Sequence, residues 1–191
     1  MIAEAPGDRR VARTIESLRT ALIELILEKH YDAITVQDII DRANVGRSTF
    51  YTHFRDKEDL LVGDWQKLLS FFAVHINVSG DADISVAPIE ALMMHLKEYH
   101  GLYRALVRSG KAERLFMLGV EFLTEKIAAK IDAETALPDV PSAVSANFLG
   151  TQIFATLNWW LDHNMPYTPA EMDAMFHKLA APGFRRSVVT A

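Results

Sequence analysis

Apolar residues recur along the chain at intervals of three and four, and no alternating run long enough for a half-buried strand interrupts them. A first amphipathic helix is predicted over residues 14–29, with Ile15, Leu18, Leu22, Leu25 and Ile26 forming an inward stripe. Thr35-Val36-Gln37-Asp38 has the form of a capping box, with Thr35 capping a second helix that turns Val36, Ile39, Ile40 and Ala43 inward. That helix stops near Asn44, a residue type that tolerates left-handed backbone. Gly46 is an acceptable cap for a short third helix over 47–54. Asp56 opens a longer helix that reaches Val78 through Leu60, Leu61, Trp65, Leu68, Leu69 and Phe72, and the turn-rich stretch 79–85 ends it. Further helices are predicted over 88–100, 101–109, 112–134, 142–163 and 169–180, with the proline-bearing segments 137–141 and 165–169 between the last three.

The predicted fold is therefore all-α. A flexible arm (1–12) precedes a three-helix helix-turn-helix domain (13–57), a larger helical bundle (58–185) and a short tail (186–191). Composition adds exclusions. Without cysteine there can be no disulfide framework, no thiolate metal site and no cysteine nucleophile. The opening residues have no apolar core of the signal-peptide kind, and the greasiest stretch, 153–161, is too short to cross a bilayer and contains Asn158. A cytoplasmic protein with no membrane partner is expected.

The net charge of −5 argues against indiscriminate coating of nucleic acid. Its distribution points elsewhere: Arg9, Arg10, Arg13 and Arg19 face only Glu16, and Arg42, Arg47, Arg55 and Lys57 face only Asp56. Val45, Phe50 and Phe54 anchor the third helix from one side. The other side is left with Arg47, Ser48, Thr49, Tyr51, Thr52 and His53, which are donors and acceptors without a carboxylate, suited to phosphate oxygens and base edges in a major groove. Lys57 lies in the first turn of its helix, where a cation opposes the macrodipole, so a bound phosphate is the expected partner of its ammonium.

Residues 34–39, 43–51 and 53–60 (Ile-Thr-Val-Gln-Asp-Ile, Ala-Asn-Val-Gly-Arg-Ser-Thr-Phe-Tyr and His-Phe-Arg-Asp-Lys-Glu-Asp-Leu) resemble the tetracycline-repressor (TetR) family of bacterial regulators. Asn44 stands where that family usually has Gly, Gly46 where Ser is common, and His30 where Gly often ends the first helix. The resemblance implies a homodimer on a near-palindromic double-stranded operator, with Arg47, Ser48 and Thr49 reaching bases. It also implies that Tyr51, His53 and Lys57 grip phosphate, that Thr35 and Gln37 touch DNA from the second helix, and that Arg9, Arg10 and Arg13 form an arm.

In the second half, Ala146, Gly150 and Ala155 punctuate a helix that is apolar nearly all round. Gly inside a helix costs about 1 kcal/mol relative to Ala and marks close packing. This helix and the one from Pro169 are expected to form a two-fold four-helix interface through Phe148, Gly150, Phe154, Leu157 and Trp160. The resemblance further implies a pocket for a small apolar or amphipathic effector, for which Trp65, Phe72, His75, Met93, Met94, Tyr103, Phe116 and Phe122 are the candidate lining; plain core packing is the competing reading.

No cofactor or metal is expected, since His95 and His100 are spaced poorly for a helical ligand pair and no thiol or carboxylate set completes them. No nucleophile elbow, phosphate-binding glycine loop or dinucleotide fingerprint occurs, so an enzyme ranks lowest. The expected function is a dimeric, operator-binding regulator, a repressor released by an effector. The alternative is a helical protein-interaction or effector-independent DNA-binding module with a filled core.

Overall fold

The computed structural model describes residues 6–76, 87–134 and 140–184, and within them the protein is all-α. The helices are α1 (Pro6–Glu28), α2 (Val36–Ala43), α3 (Arg47–His53), α4 (Lys57–Ala73), α5 (Ile89–Glu98), α6 (His100–Arg108), α7 (Ala112–Glu134), α8 (Ser142–Asp162) and α9 (Pro169–Phe184), with one 3-10 turn, Tyr31–Ala33, between α1 and α2. Helix α1 begins eight residues before its predicted start, so residues 6–12 of the expected arm are helical. Helix α4 ends at Ala73, and the predicted end at Val78, the break 79–85 and the tail 186–191 lie outside the described residues.

The chain divides into two compact units, with boundaries within α4, between α5 and α6, and within α7. One unit takes in the chain up to Trp65 together with Tyr99–Leu115. In it α1 packs against α2 and α6, around Leu18, Leu22, Leu25, Ile26, Ile39, Phe50 and Leu60. Three side-chain devices fix α2. Thr35 and Asp38 form the capping box reciprocally, the hydroxyl accepting from the Asp38 N–H and the carboxylate accepting from the Thr35 N–H. Lys29 reaches the same carboxylate at 2.9 Å. Arg42 donates a fork to Glu28 (2.9 and 2.7 Å) and a third bond to Glu24 (3.2 Å), both on α1. The turn follows the expected chemistry: Asn44 is left-handed (φ 53°, ψ 47°) and the Val45 N–H donates to the Ile40 carbonyl.

The second unit takes in Gln66–Glu98 and the chain from Phe116 onward. Helix α5 packs on α9, where Asp173 accepts from the Glu90 N–H and His177 accepts from the Ala87 N–H. Helices α7 and α8 approach closely at two glycines. Gly119 sits under the tip of the Phe154 ring, and Gly150 faces the Thr124 hydroxyl. Trp160 is fully buried, and its indole N–H donates to the Tyr167 carbonyl at 2.8 Å.

Most of the expected interface set points inward in the single chain. Gly150, Phe154, Leu157 and Trp160 are buried within their own unit, and of the five only Phe148 is exposed. A helix apolar all round carries no period that separates its inner face from its outer one. Its outer side shows Val144, Phe148 and Trp159 instead.

Candidate nucleic-acid interface

Helix α3 is short because its sequence leaves it little to bury. Phe50 fills the core completely, with Tyr51 edge-on at 5.3 Å and Phe54 tilted at 5.9 Å. With that one anchor fixed, the rest of α3 turns outward: Arg47, Ser48, Tyr51 and Thr52 are exposed, and Thr49 and His53 are half-buried. No carboxylate lies on this helix. Arg47 joins the two helices of the motif, its guanidinium donating to the Gln37 side-chain oxygen Oε1 at 3.3 Å and lying 5.6 Å from the Tyr51 ring centre. Gln37 donates in turn to Asp41 (2.8 Å). The Thr52 hydroxyl donates to the Ser48 carbonyl, as helical threonines do, and keeps its acceptor capacity outward.

Two predicted contacts are engaged elsewhere. The Thr35 hydroxyl donates to Asp38 Oδ2 at 2.7 Å as well as accepting from the Asp38 N–H, so its hydrogen atom belongs to the cap. Lys57 points inward. Its Nζ donates to the Ile34 and Tyr31 carbonyls at 2.7 and 2.8 Å, with the Asp32 carbonyl at 3.4 Å, and it lies 4.5 Å from the Tyr31 ring centre. Burial pushes its pKa down, while nearby Asp32 opposes the shift.

Among the cations of the second basic island, Arg42 is tied to Glu24 and Glu28, Arg55 to Asp59 at 3.1 Å, and Lys57 to carbonyls. Arg47 is the member presented on α3 itself. In the first island, Arg9, Arg10 and Arg13 are exposed along α1, so they extend from a helix, while Arg19 pairs with Asp64 at 2.9 Å. Asp38, gripped by the Thr35 hydroxyl, the Thr35 N–H and Lys29, is held well below the usual carboxylate range.

The expected effector lining is divided between the two units. Trp65 and Tyr103 belong to the first, where the Trp65 indole donates to the Leu115 carbonyl. Phe72 and Met93 are buried in the second. There His75 and Met94 are exposed, Phe116 stands edge-on to Phe154, and the Lys126 ammonium lies over Phe122. Phe72 and Met94 border an open groove of about 810 Å³ that is shared with Phe71, His95 and Pro169.

Sequence reasoning missed Tyr31, the ring on which two ammoniums sit, and its neighbours Ser109 and Lys111. Ser109 accepts from the Tyr31 N–H at 3.2 Å, and Lys111 reaches Asp32 at 3.3 Å. The spacing of about 80 residues carries no local signal. Among the described residues no helix is long and apolar enough to cross a membrane, and no group of three His, Asp or Glu could hold a metal.

Known proteins are similar to this chain in sequence and fold. Residues 18–62 match the signature of bacterial regulatory proteins of the tetR family, and residues 87–181 match a transcriptional regulator C-terminal region. The HTH-type transcriptional regulator YxbF of Bacillus subtilis is 38% identical over 73 residues, which is 38% of this chain and 19% of that relative's length. A TetR transcriptional regulator of Streptococcus agalactiae superposes with a TM-score of 0.60 at 25% identity, covering 91% of this chain and 97% of its own. FadR of Bacillus subtilis, solved with stearoyl-CoA, has a TM-score of 0.58 at 17% identity and coverage of 88% and 98%. The chain belongs to the tetR family of DNA-binding transcriptional regulators, which are not enzymes.

Proposed function

We propose that the protein acts in the cytoplasm as a homodimeric repressor that leaves a near-palindromic operator when a small apolar or amphipathic effector binds. The observation that carries the DNA-reading part is the carboxylate-free outer face of α3, with Arg47, Ser48 and Thr49 as base-reading groups and Tyr51, Thr52 and His53 beside them. Gln37 supports this face through Arg47.

Dimerisation is supported by the apolar outer side of α8 and α9. Phe148, Trp159, Met175 and Leu179 are exposed there, the last at 82%, around a groove of about 480 Å³. Exposed apolar side chains clustered at one groove mark an interaction surface, and a second copy is the occupant that the operator's two-fold symmetry calls for.

Effector release is supported by the groove beside Phe72 and by the FadR structure, whose bound stearoyl-CoA belongs to that protein. The competing reading, a regulator with a filled core and no effector, is favoured by Met93, which is 0% exposed. Thermal unfolding with a panel of acyl-CoA thioesters and free fatty acids separates the two. A compound that raises the Tm and also lowers operator affinity is expected. A flat response across the panel favours the filled core.

A further inference from the structure

We infer that Lys57 is a positioning residue for operator reading: its ammonium fastens the corner that leads into α2 to the start of α4, and so sets the pose of the reading helix. This rests on the assignment of α3 as the helix that reads the duplex.

The geometry closes the motif at both ends. Ile34, whose carbonyl accepts from Lys57 Nζ at 2.7 Å, immediately precedes Thr35, the cap of α2. Lys57 is the first residue of α4, and α3 ends four residues earlier at His53. One side chain thus links the residue before the α2 cap to the first residue of α4, and α2, the turn and α3 lie between. Tyr31 completes the socket: it is 1% exposed, its carbonyl accepts at 2.8 Å, and its ring carries the cation on its face at 4.5 Å. From the α6–α7 turn, Ser109 accepts from the Tyr31 N–H, and Lys111 lies 5.3 Å from the same ring.

An ammonium suits this place because its three donors radiate from one atom toward carbonyls that converge on it. A guanidinium is a planar fork, matched to a carboxylate or phosphate and not to such a socket. To reach a phosphate, Lys57 would have to leave two short hydrogen bonds and a ring face.

The experiment uses the full chain and two duplexes, a preferred inverted repeat selected from random DNA and a scrambled control. Affinities are measured across a salt series for wild type, Lys57→Met, Lys57→Arg and Lys111→Ala, with circular dichroism confirming that each is folded at the assay temperature. Lys57→Met and Lys57→Arg are each expected to lose about tenfold in affinity for the preferred repeat, as for one lost hydrogen bond to a charged donor. Their affinity for the scrambled duplex and their salt slope should stay at the wild-type value. Lys111→Ala removes the second cation from the ring without touching the carbonyls and should keep the wild-type preference.

The inference is overturned if Lys57→Arg binds like wild type while Lys57→Met has a salt slope shallower by about one unit, since that is the signature of a phosphate ligand. It is also overturned if the Lys57 variants melt earlier yet discriminate normally, or if Lys111→Ala shows the same tenfold loss. A wild type with no preferred duplex would refute the reading of α3 and the positioning role together. A clear preference with an unaffected Lys57→Arg would refute the positioning role alone.

Discussion

Gly119 on α7 offers a test of helix packing in which two familiar effects oppose each other. Alanine is favoured over glycine in a helix interior by about 1 kcal/mol, so Gly119→Ala would stabilise the protein if space allowed. Space does not allow it. A Cβ built on Gly119 would lie 2.8 and 2.9 Å from Phe154 Cε1 and Cε2, with Cζ nearer still. Phe154 is buried and stands edge-on to Phe116 at 5.6 Å, so its ring cannot tilt away without losing that pairing. Forcing a methyl into a packed core costs about 2 kcal/mol, and a displaced aromatic pair about 1 more. Set against the propensity gain, Gly119→Ala should destabilise by about 2 kcal/mol, a fall in Tm of about 4–8 °C for a chain of this size. Gly63 on α4 is the control, because a Cβ there would meet nothing within 4 Å. Gly63→Ala should raise the Tm by about 2–4 °C. Thermal unfolding followed by circular dichroism measures both, and Gly119→Ala/Phe154→Leu should recover stability beyond the sum of the single changes. A Gly119→Ala protein as stable as Gly63→Ala would refute the close approach of α7 and α8.

Acid should weaken the fold through Asp38. Its carboxylate is held below the usual range by Thr35 and Lys29, so its contribution is fully present above the unfolded pKa of about 4 and is lost as the pH falls further. Urea unfolding at pH 7 and pH 3.5 should show a smaller acid loss for Asp38→Asn than for wild type; equal losses would contradict the assignment. Replacing Arg47 with Ala should cost about 1–3 kcal/mol of operator discrimination with little change on random duplexes, measured by competition binding. Leu179→Glu paired with Phe148→Glu should yield a folded monomer in sedimentation velocity, and an unchanged dimer would move the interface elsewhere.

Much of the fold was legible because local chemistry agreed with tertiary demand. Thr35 and Asp38 announce α2 and Asn44 its left-handed end, and both sit in the structure where their chemistry requires; of the three anchors expected of α3, Phe50 is fully buried while Val45 and Phe54 are half-buried. Helix α1 shows where the signal ran out. Arg9, Arg10 and Arg13 favour helix but supply no apolar stripe, so periodicity could not detect the extra turns. The surroundings of Lys57 were not legible for a different reason: the carbonyls that hold its ammonium lie more than twenty residues away, where only the folded chain brings them. On α8 the sequence showed that the helix must be covered on every side, but not which residues its own unit covers. Gly150 and Trp160 proved internal, while Trp159 faces out, in a stack with His163 and Tyr167.

Binding of the full-length protein to a duplex selected from random DNA, titrated against a scrambled duplex of equal length and composition, bears most directly on α3 as the sequence-reading element. An inverted repeat preferred by about a thousandfold or more, with the preference sharply reduced by Arg47→Ala, is the predicted result. Equal and weak affinity for both duplexes, falling together as salt is raised, would contradict it.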